Sequence, residues 1–372
     1  MKERRSVLGR LSFAFAAKEA SYIKHRRQSN DFLIILFREK SQVMNTLYPL
    51  KFEPILKEKI WGGNRIAKEL NKKQGALPNI GESWELSGVT NNVSVVSNGF
   101  LQGNTIEELI EVYMGDIVGD KVFSKFGTEF PLLFKFIDAD EYLSIQVHPN
   151  DELAMQRHNL HGKTEMWDVI EAEDDAKLIS GFNCEMDKQK YLDNLNSGHL
   201  RDILNWVPVK HGDTFFIPSG RIHSIGPGIL LAEIQETSDI TYRIYDWDRL
   251  DTNGKPRQLH TDLAVDAIDY TLHPSYKTDY EIKMNRSTSV VSCPFFTVNL
   301  LNFDKDIEID YGRIDSFVVY MAVGGKAEIH APGLDEPVSI AKGETVLIPA
   351  EMKEIELKPV GGEAKLLEVY IG

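Results

Sequence analysis

The chain has 372 residues, with 42 Lys and Arg against 56 Asp and Glu, for a net charge of −14. Such a length predicts two or three domains, and the ordinary apolar and charged fractions, 42% and 26%, exclude disorder, collagen and coiled coil. The acidic balance argues against nucleic acid and anionic membrane as partners, and two cysteines, Cys184 and Cys293, make no disulfide framework, which fits a reducing, cytoplasmic setting.

Residues 1–43 stand apart. Ten basic and four acidic side chains give them +6, which leaves −20 for the remainder. We expect this stretch to be an N-terminal extension outside the folded body, with translation starting at Met44. A targeting segment is the competing reading, weakened by Arg10 inside the apolar run. DFLIILF (31–37) is too short to span a bilayer.

After Met44 come β-like runs with Gly turns. One helix is predicted at 106–119, with Thr105 as its N-cap. FPLLFKFI (130–137) and YLSIQV (142–147), joined by DADE, read as a hairpin. EMWDVIEA (165–172) and KLISGF (177–182), around EDDA, read as a second pair. DKQKYLDNLN (187–196) reads as a short helix. TFFIP (214–218), ILLAEI (229–234) and ITYRIYDW (240–247) are further short strands. Many short strands with few helices predict a mainly β sandwich or barrel.

An internal repeat sharpens this. Gly212, Thr214, Ile217 and Pro218 recur as Gly343, Thr345, Ile348 and Pro349, each 131 residues on, and Asp213 recurs as Glu344. Two copies of one turn-and-strand predict two β units of one type, divided as 44–275 and 276–372. His223 maps to Glu354, so the second copy lacks a ligand that the first holds.

Three places could carry chemistry. Gln146 and His148 lie two apart on a predicted strand, hence on one face, and Pro149 ends that strand. Glu165 begins the next strand. His223 follows the strand that ends in IPSG. Two imidazoles and a carboxylate, with an optional amide oxygen, suit one divalent ion in an open catalytic site. Zinc fits the set, and Co, Ni or Mn could take it as well. Asp239 and Arg243, four apart, would face the same way on a strand. Arg243 could then hold an anion or stabilise a developing oxyanion, or simply pair with Asp239 at the surface. Lys163 reads as a base beside the cation or as a solvated lysine.

IQVHP, GKTEMW, IPSGRIH and SDITYRIYDWDR together resemble the type I mannose-6-phosphate isomerases, also called phosphomannose isomerases, as do PLKFEPILKEKIWGG and GESWELS. The resemblance runs from about Leu47 to the C-terminus and is closest to the short bacterial branch. Longer members carry Y-x-D-x-N-H-K-P-E where this chain reads MQRHNLHGKTEMW. The resemblance implies two cupin-type jelly-roll (double-stranded β-helix) units, the second without a metal site. It also implies one Zn²⁺ held by Gln146, His148, Glu165 and His223. Arg243 would take the catalytic role, with Lys163 and Asp239 moving protons. The implied reaction interconverts D-mannose 6-phosphate and D-fructose 6-phosphate through a cis-enediol, so the partner is a small sugar phosphate. Its phosphate would sit near Lys163, Arg243 or residues 84–87. A non-catalytic sugar-phosphate-binding cupin and another metal-dependent cupin enzyme are the competing expectations.

Overall fold

Short runs of two to eight residues, cut by Gly, Pro and Asp turns, become strands. The computed structural model describes residues 46–250 and 254–372. The expectations for 1–43 and for a start at Met44 lie outside the described residues. In chain order the first strands are β1 (Leu50–Lys51), β2 (Ile55–Lys57), β3 (Glu82–Ser87), β4 (Leu132–Ala139), β5 (Ile145–Val147) and β6 (Glu165–Ala172). Then come β7 (Lys177–Phe182), β8 (Leu204–Pro208), β9 (Thr214–Ile217), β10 (His223–Ile225), β11 (Ile229–Glu236) and β12 (Tyr242–Tyr245). The rest are β13 (Arg286–Ser292), β14 (Thr297–Phe303), β15 (Ile307–Asp310), β16 (Val318–Gly324), β17 (Lys326–His330), β18 (Val338–Ala341), β19 (Thr345–Ile348), β20 (Glu354–Pro359) and β21 (Ala364–Tyr370).

They form four sheets. β2-β3-β4-β11-β6-β9 faces β12-β5-β10-β7-β8, and β1-β19-β16-β21-β14-β13 faces β15-β20-β17-β18. Strand alternation sets the stacking. On β4, Phe134 and Phe136 point away from the first sandwich into a core that also holds Val298, Leu300, Val319, Met321 and Leu367. Ile137 and Ala139, on the opposite face, pack inside the first sandwich with Leu178 and Ile225. The six-stranded sheets are therefore back to back, and each has its own partner sheet on the far side.

Both expected hairpins are wrong. β4 and β5 lie in different sheets, as do β6 and β7. β4 already pairs with β3 and β11 along its length, so β5 finds no free edge there. Four extended residues reach about 13 Å, enough to cross the about 10 Å between facing sheets. DADE and EDDA are thus crossings between layers.

The single helix predicted at 106–119 is also broken. Thr105 caps it as expected. Its hydroxyl accepts the Glu108 N–H and its own N–H donates to the Glu108 carboxylate. Met114, however, has φ 48°, and the chain divides into Ile106–Tyr113, Gly115–Val118 and Asp120–Phe126.

The repeat is structural. β9 and β19 start at Thr214 and Thr345. Gly212 and Gly343 hold φ of +81° and +89°, a region open to glycine. The Asp213 and Glu344 carboxylates accept the backbone N–H three residues back, from Lys210 and Ala341, at 2.9 and 2.8 Å. Glu165 pairs with Ile217 in the first sandwich as Val318 pairs with Ile348 in the second. The place of a carboxylate is therefore taken by a buried valine. His223, expected after a strand end, opens β10, just as Glu354 opens β20.

Candidate metal centre and active site

Two rows of side chains line the first sandwich. On one sheet Arg243, Gln146 and His223 sit side by side on β12, β5 and β10. Cross-strand partners share a face, so all three look into the interior. On the opposite sheet Trp84, Lys135, Glu233 and Trp167 form a row across β3, β4, β11 and β6. Gln235 and Glu165 are the adjacent pair, two residues along.

His148 lies one residue beyond β5 and Glu165 is the first residue of β6. His148, Glu165 and His223 meet with their ligand atoms all within 4.8 Å of one another, each fully buried. The His148 Nε2 is 3.6 Å from Glu165 Oε2, and the His223 Nε2 is 3.4 Å from Glu165 Oε1. Both rings are fixed from behind. His148 Nδ1 donates to the Ile240 carbonyl and His223 Nδ1 to the Arg221 carbonyl, each at 2.8 Å. This leaves the Nε2 lone pairs aimed inward, as metal-binding histidines require. Gln146 Nε2 is 3.2 Å from His223 Nε2. Turning the amide over presents its oxygen at the same point.

Charge supports the same reading. Burial, with Lys163 and His223 nearby, holds His148 well below the ordinary imidazole pKa. Burial brings His223 down to about 4. Both rings are therefore neutral. Burial, reinforced by Glu233, raises the Glu165 carboxyl despite Lys163 and Lys135. The His148 Nε2 and both Glu165 oxygens are buried without a hydrogen-bond partner. Two neutral imidazole lone pairs facing a buried carboxylate that accepts no hydrogen bond is a costly arrangement even with Lys163 beside it, and a divalent cation satisfies all three. The donor set fits one. It is the single group of three or more His, Cys, Asp or Glu among the described residues that does so.

A cavity of about 140 Å³ adjoins this cluster, with Gln146, Lys163, Asp239 and Arg243 in its wall. Lys163 Nζ lies 3.3 Å from Glu165 Oε2. Arg243 spans to the Gln258 carbonyl at 3.0 Å, while its buried Nε has no partner. Asp239 is exposed and precedes β12, so the strand argument for pairing it with Arg243 does not hold. The two meet the cavity from a loop and a strand.

Sequence reasoning missed Lys135, Glu233 and Glu82. Lys135 Nζ bonds Glu233 Oε1 at 2.8 Å, and Trp167 Nε1 donates to Glu233 Oε2 at 2.9 Å. Trp84 Nε1 donates to Glu82 at 2.7 Å. Burial opposes the Glu82 charge, but Lys135 and Lys59 outweigh it and bring the carboxyl to about 2. The available signal was a lysine inside the otherwise apolar FPLLFKFI and two polar residues at period two in ILLAEIQE. We predict that Lys135→Met, which strands Glu233 in the interior, lowers unfolding stability by about 3–5 kcal/mol. Urea unfolding measures this directly.

The protein-family model for the phosphomannose isomerase type I catalytic domain matches residues 49–173. The chain is 35% identical over 321 residues to the mannose-6-phosphate isomerase ManA of Bacillus subtilis, over 84% of this chain and 96% of that protein. It is 34% identical over 309 residues to the mannose-6-phosphate isomerase of Streptococcus mutans, over 82% and 93%. Among solved structures, the mannose 6-phosphate isomerase of Bacillus subtilis matches with a TM-score of 0.77 and 31% identity. That match covers 87% of this chain and 99% of the other. Among the described residues no helix is long and apolar enough to cross a membrane.

Proposed function

The chain belongs to the type I mannose-6-phosphate isomerase family, and from that membership we propose that it interconverts D-mannose 6-phosphate and D-fructose 6-phosphate through a cis-enediol. The observation that carries this reading is the buried His148–Glu165–His223 cluster, in which the His148 Nε2 and both Glu165 oxygens lack a hydrogen-bond partner, beside a cavity lined by Gln146, Lys163 and Arg243.

We assign the metal to Gln146, His148, Glu165 and His223, and we take it to be zinc, which suits a mixed nitrogen and oxygen set. When bound, the ion supplies Lewis acidity toward the substrate's carbonyl and hydroxyl oxygens. Isomerisation moves a proton between C1 and C2 and builds negative charge on the enediolate oxygens. Arg243 has a free, buried Nε–H and offers it to that charge. Lys163 Nζ and the Asp239 carboxylate carry the proton between the two carbons, since both reach the cavity. Glu233 is already engaged by Lys135 and Trp167 and acts as a fixed counter-charge. Trp84 and Trp167, at the cavity wall, exclude water from the sugar ring. Arg243 and Arg257 supply positive charge at the wall for the phosphate.

Residues 276–372 we read as a second cupin-like domain without a metal, backing the first. A cytoplasmic metabolic setting fits two free cysteines. The test is a coupled assay of fructose 6-phosphate formation from mannose 6-phosphate, run beside glucose 6-phosphate. We expect turnover with the mannose substrate alone. Binding of mannose 6-phosphate with no exchange of its C2 proton into D₂O would instead make the chain a sugar-phosphate-binding cupin.

A further inference from the structure

His223 reaches the centre from a tight turn, Pro218–Ile222, between β9 and β10. What holds that turn lies outside the cavity. The Gly220 N–H donates to the His148 carbonyl at 2.8 Å, tying one imidazole-bearing segment to the other. The Gly220 carbonyl accepts from the Asp269 N–H, and the Thr278 N–H donates to the Thr214 carbonyl, both at 2.8 Å. Residues 269–278 therefore run back along β9 as a strap, pinned to the turn at one end and to the first residue of the strand at the other. Between the pins, the Arg221 guanidinium lies 4.6 Å from the Tyr276 ring centroid. Arg221 is only 7% exposed. Tyr276 is anchored in turn, since its hydroxyl donates to the Phe182 carbonyl at 3.0 Å. Burying a guanidinium is costly unless something offsets it. Here the Tyr276 ring face supplies that offset. The backbone carbonyl of the same Arg221 accepts the His223 Nδ1–H and so selects the tautomer with a free Nε2.

We propose that the Arg221–Tyr276 stack is a positioning device that locks the Pro218–Ile222 turn and thereby sets the affinity of the His148–Glu165–His223 centre for its divalent cation. It touches neither substrate nor metal. The inference rests on the metal reading given above. It places control of the metal in the segment 269–278, which contributes no ligand.

The test measures the zinc dissociation constant by competition with a chromogenic chelator, beside the melting temperature of the metal-free chain. Arg221→Met and Tyr276→Leu remove the stack. Each is expected to weaken zinc binding by about 10–100-fold, the usual effect of losing an outer support. Arg221→Lys keeps a cation over the ring and is expected to retain more of the zinc affinity than Arg221→Met. Ile355→Ala, in the core of the second sandwich, supplies a loss of stability away from the centre and is expected to leave zinc affinity unchanged. Parental zinc affinity in Arg221→Met and Tyr276→Leu overturns the proposal, as does an equal loss in Ile355→Ala. Should Tyr276→Leu fail to fold, the contrast between Arg221→Met and Arg221→Lys decides alone. A parent chain that takes up no zinc overturns the metal reading beneath the proposal, a result distinct from parental affinity in the variants.

Discussion

His223→Ala is expected to lose its bound metal and, with it, at least about 10³-fold in kcat, since Lewis-acid stabilisation worth several kcal/mol converts at 1.36 kcal/mol per decade. The argument is local. His223 is one of two neutral nitrogen donors, and its Nε2 lies 3.4 Å from the carboxylate it would share the ion with. Alanine leaves His148 as the one nitrogen donor, with Glu165 and the neutral amide of Gln146, a weaker set for zinc than two imidazoles and a carboxylate. Folding and metal loss are separable by heat. Adding zinc raises the melting temperature of the parent, because a ligand that binds only the folded state stabilises it. The same addition should leave the melting temperature of His223→Ala unmoved. A zinc-dependent rise in the variant equal to that of the parent would place the ion elsewhere.

Arg243→Ala is the second large effect, and it differs in kind. Arg243 is paired across the strands with Gln146, its Nε is unpartnered, and burial with Arg257 nearby disfavours its charge. A donor kept in that state is preorganised for charge that appears only during reaction. Removing it should lower kcat by about 10²–10³-fold, the range for one oxyanion donor, with zinc content unchanged. If Arg243 served only to hold the phosphate, KM would rise and kcat would stay. Steady-state kinetics on the zinc-loaded variant separates the two. Arg243→Lys should recover little, because a lysine cannot reproduce the direction of the Nε–H.

Much of the candidate centre was legible because ligand chemistry and chain punctuation coincide. Pro149 follows His148, and Pro218 precedes the turn that leads to His223. Prolines at strand ends put those side chains at a rim, and the structure brings them to Glu165 within 4.8 Å. The repeat was legible for a similar reason, since the positive φ at Gly212 and Gly343 restricts which residues fit.

Layer assignment was not legible. A local pattern shows that YLSIQV is a strand but carries nothing on which sheet accepts it. That depends on β11, nearly a hundred residues away, occupying the edge of β4. Lys135 and Glu233 were hidden in the same way. Each looks like an isolated charge in an apolar run, and only the register between β4 and β11 shows that they neutralise each other. Asp239 shows the opposite error. A spacing of four was taken for strand geometry, and the residue sits in a loop.

The most direct test follows zinc content and mannose 6-phosphate turnover on the same sample as a chelator is added and zinc then restored. The account predicts that both fall together to near zero, that the ratio extrapolates to one zinc per chain, and that both return on adding the metal. Full turnover in a sample stripped of metal would contradict it.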